Sequence, residues 1–488
     1  MSQRAVPGVC LDSLFDPAAR TGASGAVVSG CTADWRQVSP GDAFVAVLED
    51  DSDGHDFADE AVRRGAVAVI AERPLPIFDA PVYYVDDTRI ALGELCHALV
   101  ESPSRRLAVI GVVGTQGKST TIALLESIFA AAGRHVGVLS TLKSYDGMTR
   151  SEGQQGPLSP PRLARRLARM EQAGCTHVLL ELSTESLSQH RLAGVELDAV
   201  CVTTVDSARL ELYHSAHNYR QASRRALTYL SPGGMTVINA DDPVSSRWLS
   251  ELEGPALTYG LGDQAQVTAD VIEQNAGETV FVLVAGHDSV AVRTAIAGDA
   301  HVSNCLAAAT LALAYGVELT AIAAGIEAIQ KLPARMERVD CGQDFALFVD
   351  AADTALGLKS TLCTARKLAS GRVICVLGDS LPPSPAEATA IRSVVTKLAD
   401  LTIISDAVVA ADAAWLPKTQ RTGALQVAAN RGEAFAWAVA AAQPGDVVVI
   451  AGSRAPTPFA FGSVETSDAD AVRELLYACA GPALRLAG

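Results

Sequence analysis

The chain has 488 residues, too many for one hydrophobic core, so about three domains are expected. Apolar residues make up 49% and aromatics 5%, a balance suited to an α/β protein with buried parallel strands. With 39 basic against 55 acidic residues the net charge is −16, which argues against a nucleic-acid backbone as the main partner; it leaves room for an anionic ligand, because phosphate sites are local.

The first hundred residues read as a small α/β unit. Ser39-Pro-Gly-Asp42 is a turn, 43–47 a strand, 57–65 a helix ending at glycine, and 66–70 the next strand. The polar segment 101–106 reads as a linker. Residues 107–113 form a continuous apolar run, as in a strand buried in a parallel sheet, and 122–130 carry helical apolar spacing.

Between them lies Gly114-Thr115-Gln116-Gly117-Lys118-Ser119-Thr120-Thr121. A glycine-rich turn from a strand into a helix N-terminus directs backbone N–H groups and the helix dipole at one spot. Lys118 can reach terminal phosphates and the Ser119 hydroxyl can ligate magnesium. The pattern is not a strict Walker A, since its first glycine falls on Val112. The plain alternative is a strand–helix turn without ligand.

Further along, 177–182, 199–203 and 235–239 are strand candidates, the alternation typical of a doubly wound sheet. Glu181, at the end of its strand, is either a magnesium carboxylate or an ordinary strand-end glutamate. Ser183, Gln189, His190 and Arg191 follow within a turn or two of helix. Arg191 can clamp a phosphate or carboxylate, or simply belong to a polar surface helix. Asn239-Ala-Asp-Asp-Pro243 reads first as an Asx turn. Residues 259–293 suggest antiparallel hairpins, and 304–315 a helix. Near 332–336 a third unit begins, with strands at 346–350, 372–377, 401–404 and 446–450. Arg335 in that hinge is placed to reach a nucleotide or to make a salt bridge.

The ten cysteines are scattered with no Cys-x-x-Cys, which reads as core thiols of a reducing compartment. No apolar signal segment opens the chain and no apolar run is long enough to span a bilayer, so a cytoplasmic protein is expected.

Taken in order, these segments resemble the Mur ligases, specifically their UDP-N-acetylmuramyl-tripeptide synthetase branch. The resemblance is carried by 34–47 with 53–57, the Gly-Thr-x-Gly-Lys loop, Glu181-Leu-Ser183, Gln189-His-Arg191, Asn239-Ala-Asp-Asp242, His301-Val-Ser-Asn304 and Ala334-Arg-Met-Glu-Arg-Val339. It implies three α/β domains: a UDP-substrate-type domain (1–105), a central P-loop domain with a doubly wound parallel sheet (106–333), and a Rossmann-like C-terminal domain (334–488). It also implies ATP-dependent amide synthesis, in which the carboxylate of a UDP-linked muramyl peptide is phosphorylated and an amino acid's amine attacks the acyl phosphate.

By that resemblance Gly114 to Thr120, Asn304, Arg335 and Asp350 hold ATP, with Lys118 on its phosphates. Ser119 and Glu181 hold Mg2+, Lys118 and Glu181 serve catalysis, and Ser183, Gln189 and Arg191 hold the muramyl peptide. The departures fall in a pattern. Trp35 stands where the family has a serine contacting the UDP group, Gly156-Pro157 where two threonines hold the muramyl peptide, and Glu185 where the family has histidine. A metal-linked histidine is Arg209. A lysine that the family carbamylates is Ser223, beside Arg224 and Arg225, and a cation from Arg209 or Arg224 offers itself as a substitute for the second metal's charge.

In the third domain Asp-Tyr-Ala-His-Thr reads Asp350-Ala-Ala-Asp-Thr354, the Asp-Asn-Pro-Arg motif is absent around 406–409, and the terminal Gly-Lys-Gly-His-Glu loop reads Gly452-Ser-Arg-Ala-Pro456. Two readings follow: an active ligase, or a catalytically weak or inactive paralogue that binds ATP and regulates or scaffolds cell-wall synthesis with other proteins. A plain P-loop ATPase fits the flanking domains less well.

Overall fold

The computed structural model describes residues 8–49, 51–153, 156–205, 213, 215–378, 384–405, 424–452, 457–458 and 465–479. The N-terminal sheet has five strands in the order Arg20–Thr21, Val82–Tyr84, Ala68–Ala71, Asp42–Val45, Gly30–Thr32; the last four are mutually parallel. The helix expected at 57–65 is Ala58–Arg63. A second helix, Thr88–Ala98, was not read from the sequence. It is started by Asp87, whose carboxylate accepts from the N–H groups of Arg89 and Ile90. This helix seats the N-terminal unit on the rest of the molecule: a Cβ at Gly93 would lie 2.5 Å from the Ala193 carbonyl oxygen, so only glycine permits the contact.

The expected linker at 101–106 is packed down rather than free. Pro103 and Ser104 are buried, and Arg105 and Arg106 pair with Glu196 and Glu171.

The central unit is built on β1 (Ala108–Val113), β2 (Val136–Leu139), β3 (His177–Leu182), β4 (Leu197–Val202), β5 (Leu230–Asn239) and β6 (Ala256–Tyr259), parallel in the order β2-β3-β1-β4-β5-β6. The antiparallel hairpins expected at 259–293 are present, and they continue the same sheet through Val267–Gln274, Thr279–Ala285 and Asp288–Thr294. Helix α1 (Lys118–Ala131) leaves β1 and buries Ile122, Leu125, Ile128 and Phe129 against the sheet, α2 (Asp299–Ala314) and α3 (Leu319–Glu327). At about 1.5–3 kcal/mol per large apolar side chain, this packing fixes where α1 begins.

The C-terminal sheet orders β7 (Ala346–Asp350), β8 (Val373–Leu377), β9 (Leu401–Ser405), β10 (Ala424–Ala428) and β11 (Val447–Ala451) as β7-β11-β8-β9-β10, all parallel, with Glu337–Arg338 antiparallel at the edge. Four of these strands match the expectation; β10 is added. Thr354 caps α4 (Ala355–Leu368), and its hydroxyl also accepts from Gln116 Nε2 at 3.2 Å, tying this unit to the phosphate loop. Ile296, Leu332 and Met336 share a buried cluster with Leu358 and Leu362, so the central and C-terminal units meet partly through apolar side chains. Among the described residues no helix is long and apolar enough to cross a membrane.

Candidate active site

The loop 114–117 turns between β1 and α1 at the carboxyl end of the sheet, where open α/β sheets bind ligands. Two of its residues must be glycine. Gly114 and Gly117 have φ of 147° and 85°. A Cβ would lie 2.1 Å from Thr203 Oγ1 at Gly114, and 2.3 Å from Asn304 Oδ1 at Gly117. The loop is stapled to the end of β4: the Thr115 N–H donates to the Thr204 carbonyl at 2.6 Å, and the Thr203 hydroxyl to the Gln116 carbonyl at 2.5 Å. With the backbone held this way, the first turn of α1 presents its N–H groups and dipole to the cleft.

Lys118 folds back so that Nζ donates to the Gly114 carbonyl at 2.8 Å, leaving its charge over the loop mouth. Glu181, at the end of β3, is the acceptor hub. Its Oε2 takes hydrogen bonds from the Ser119 hydroxyl (2.9 Å), the Thr141 N–H (2.8 Å) and the Thr141 hydroxyl (3.0 Å). Hydroxyl and carboxylate oxygens converging beside a phosphate loop are the donor set that magnesium prefers.

Two chambers share this wall. The first, about 280 Å3, lies between the central and C-terminal units and is lined by residues 115–120, Asn304, Arg335 and Asp350. Asp350, at the end of β7, accepts from the Met336 N–H (2.7 Å), the Ala352 N–H (2.9 Å) and the Thr361 hydroxyl (3.2 Å). Burial pushes its carboxyl up from the ordinary range, against the Met336 N–H and the Arg335 charge. Arg335 sits between Ala334 and Met336, whose φ of 49° and 46° are costly for residues with a side chain.

The second chamber, about 330 Å3, opens on the other side of Lys118 and Glu181. It has walls of Leu158, Leu163, Leu182 and Leu192, with Ser183, Glu185 and Arg191 as polar groups. Ser183 caps the short helix Thr184–Ser188. Gln189 stands behind Arg191, its Oε1 accepting from Arg191 Nε at 2.7 Å, and does not line the chamber. His190, with φ 54°, turns away toward Arg225, Tyr229 and Asp87.

Two groups unread in the sequence, Thr141 and Tyr219, complete the site together with Asp353 and Thr354 of the altered third-domain motif. Thr141 joins Glu181; Tyr219 places its hydroxyl 3.0 Å from the Thr115 hydroxyl; Asp353 and Thr354 bring the C-terminal unit to both chambers. Thr141 is a single polar residue in a loop and Tyr219 a single aromatic in the helix Ala216–Arg224, signals too common to stand out.

The departures also have places. Ser223 is fully buried and its hydroxyl donates to the Tyr219 carbonyl. Arg224 pairs with Glu251 at 2.5 Å and lines a separate surface groove, so it does not supply charge to the phosphate site as the sequence suggested. Trp35 stacks on Phe57 at 5.6 Å with Arg64 over its ring, away from both chambers. Asn239-Ala-Asp-Asp242 is the expected turn: Asn239 Oδ1 accepts from the Asp241 N–H and Asp242 from the Ser245 N–H. Residues 207–211 with Arg209, 406–409 and 453–456 lie outside the described residues.

Three family models match in order: the Mur ligase family catalytic domain at 27–99, the Mur ligase middle domain at 112–312, and the Mur ligase glutamate ligase domain at 334–454. The UDP-N-acetylmuramoyl-L-alanyl-D-glutamate–2,6-diaminopimelate ligase of Geobacillus kaustophilus (strain HTA426) is 34% identical over 434 residues, covering 86% of this chain and 88% of that protein. The chain belongs to the Mur ligase family. The UDP-N-acetylmuramyl-tripeptide synthetase of Roseiflexus sp. (strain RS-1) is 30% identical, over 87% of this chain and 89% of its own length. A solved diaminopimelate ligase of the same name as the Geobacillus protein superposes with a TM-score of 0.71 at 22% identity, covering 97% of this chain and 99% of its own. The MurF ligase of Thermotoga maritima in complex with ADP superposes at 0.61, with 17% identity over 91% and 96%. As a Mur ligase, the chain thus has the three-domain α/β architecture throughout.

Proposed function

We propose that this Mur ligase is an ATP-dependent acid–amino acid ligase of peptidoglycan-precursor synthesis, extending a UDP-N-acetylmuramyl peptide by one amino acid. The observation that carries the reading is the pair of chambers meeting at Lys118 and Glu181. A kinase-like site needs one such cleft; a ligase needs the terminal phosphate to face a second, carboxylate-bearing substrate.

ATP occupies the chamber between the central and C-terminal units, with Asn304, Arg335 and Asp350 on the nucleoside side. Residues Gly114 to Thr120 cradle the phosphates. Ser119 and Glu181 hold Mg2+, which neutralises phosphate charge when bound. Arg191, held in line by Gln189, receives an anionic group of the muramyl peptide in the second chamber, with Ser183 beside it. The substrate carboxylate attacks the γ-phosphorus and ADP leaves; the amino group then attacks the acyl carbon, and phosphate leaves with formation of the amide. Lys118 lies where negative charge collects in the first step.

The Asp-Asn-Pro-Arg sequence is missing at 406–409, so the amino acid added is the one the test below identifies, rather than the diaminopimelate of the relatives' names. The reading carries a cytoplasmic setting with it, in keeping with ten cysteines that are all free thiols.

The test is mass spectrometry after incubating the purified protein with Mg-ATP, UDP-muramyl-dipeptide and a mixed amino-acid pool, with Lys118→Ala as control. A product heavier by one amino-acid residue, absent from the control, supports the ligase and identifies its amine. No product despite measurable ATP binding favours the non-catalytic paralogue.

A further inference from the structure

One pair of thiols stands apart from the other eight. Cys31 lies on the edge strand Gly30–Thr32 of the N-terminal sheet, and Cys96 on the helix Thr88–Ala98 packed across it. They are 65 positions apart in sequence, and their sulfurs are 3.4 Å apart in the fold. Among the described residues no other two cysteine sulfurs touch. Cys96 is buried at 4% exposure, whereas Cys31 is only partly covered, so Cys31 is the nearer of the two to solvent.

We propose that Cys31 and Cys96 are a reversible disulfide site, formed by exchange with a low-molecular-weight disulfide. The Cys31 thiolate attacks one sulfur of the reagent and expels the first small thiol. The Cys96 thiolate then attacks Cys31 Sγ and expels the second. Two protein thiols lose two electrons and two protons, and one small disulfide gains both as two thiols. The sulfurs close from 3.4 Å to the about 2.0 Å of a disulfide, a movement within the reach of side-chain rotation.

The contact with Cys96, burial and the Asp42 carboxylate on the neighbouring strand push the Cys31 thiol up, while the nearby Arg165 opposes them. The exchange is therefore slow at neutral pH and quickens as pH rises.

The helix carrying Cys96 makes this site more than a local staple. Its Gly93 rests on Ala193, two residues from Arg191, and a Cβ at Gly194 would meet the helix's Gly93 carbonyl at 2.9 Å. Residues 192–194 therefore link the helix to the substrate chamber wall at Arg191 and Leu192. A disulfide fixes the edge strand to that helix and closes a long loop, which stabilises the folded chain relative to the unfolded one.

The full chain is equilibrated in glutathione buffers from fully reduced to fully oxidised, then alkylated, digested and analysed by mass spectrometry, beside Cys31→Ser. The expected result is a Cys31–Cys96 cross-linked peptide that appears before any other cysteine is oxidised, is reversed by dithiothreitol, and raises the melting temperature by several degrees. Cys31→Ser should leave Cys96 alkylated and its melting temperature independent of the buffer. Absence of the cross-link in the fully oxidised buffer would overturn the proposal. So would Cys31 held as a mixed disulfide beside a free Cys96, or a cross-linked chain that melts no higher than the reduced one.

Discussion

The nucleotide chamber and the substrate chamber share Lys118 and Glu181, yet they are made of different material. The first is mostly backbone: two glycines with φ of 147° and 85°, carbonyls stapled by Thr203, and a helix N-terminus. The second is mostly side chain: leucines, a capping serine, and one arginine aligned by one glutamine. Backbone geometry tolerates almost no substitution, because every alternative residue collides. A side-chain wall can be rewritten one residue at a time. The departures from the family follow this division: on the nucleotide chamber they are the side chains Ala351 and Asp353, while the loop backbone is spared. The phosphate loop is intact, while Gly156, Pro157 and Glu185 all lie on the substrate chamber.

Removing charge from the shared wall should have the largest effect. Lys118→Ala is expected to weaken ATP binding on the order of 100-fold or more by calorimetry, since hydrogen bonds to charged groups contribute about 1.5–3 kcal/mol each. Unchanged affinity would break the assignment of the loop. Next comes Gly117→Ala, which forces a side chain into a left-handed conformation 2.3 Å from Asn304 Oδ1. The conformational cost alone is about 1–2 kcal/mol, so ATP affinity should fall about tenfold while the fold melts only slightly earlier.

On the other side of the wall, Gln189→Ala leaves Arg191 charged but unaligned. It should raise KM for the muramyl peptide a few-fold and leave ATP affinity alone; an equal loss of both would erase the distinction between the chambers. The smallest effect at neutral pH concerns His97, whose two buried ring nitrogens have no hydrogen-bond partner where the N-terminal helix meets Gly194. Burial lowers its pKa from 6.5 to about 4. The unfolded chain therefore binds a proton that the native state refuses, and stability should fall as pH drops from 6.5 through about 4. Denaturant titration of His97→Leu should show a flatter profile over that window.

Four of the six parallel strands of the central unit were legible, β1 and β3 most clearly because each is a continuous apolar run, at 107–113 and 177–182; the four-residue β2 and β6 were not. Some elements that escaped notice are short or half exposed, whereas the buried helix Thr88–Ala98 mixes polar residues into its apolar face. Gly30–Thr32 has three residues, and β10 is an edge strand with alternate residues facing solvent. The phosphate loop was legible because glycine, lysine and serine occupy fixed steps in a short segment. Thr141 and Tyr219 were not, because only the fold brings their segments to one wall with Asp353 and Thr354. Arg224 misled for a related reason: sequence proximity to Ser223 gives no direction, and the helix points it toward Glu251 instead.

The central claim is that one carboxylate and one γ-phosphate meet across the Lys118–Glu181 wall. It is tested most directly by supplying UDP-muramyl-dipeptide labelled with oxygen-18 in its terminal carboxylate, together with Mg-ATP and the accepted amino acid, and analysing the released phosphate by mass spectrometry. Passage through an acyl phosphate predicts one labelled oxygen in that phosphate for each amide formed. Unlabelled phosphate would mean that water, and not the substrate carboxylate, took the phosphoryl group, and would contradict the account.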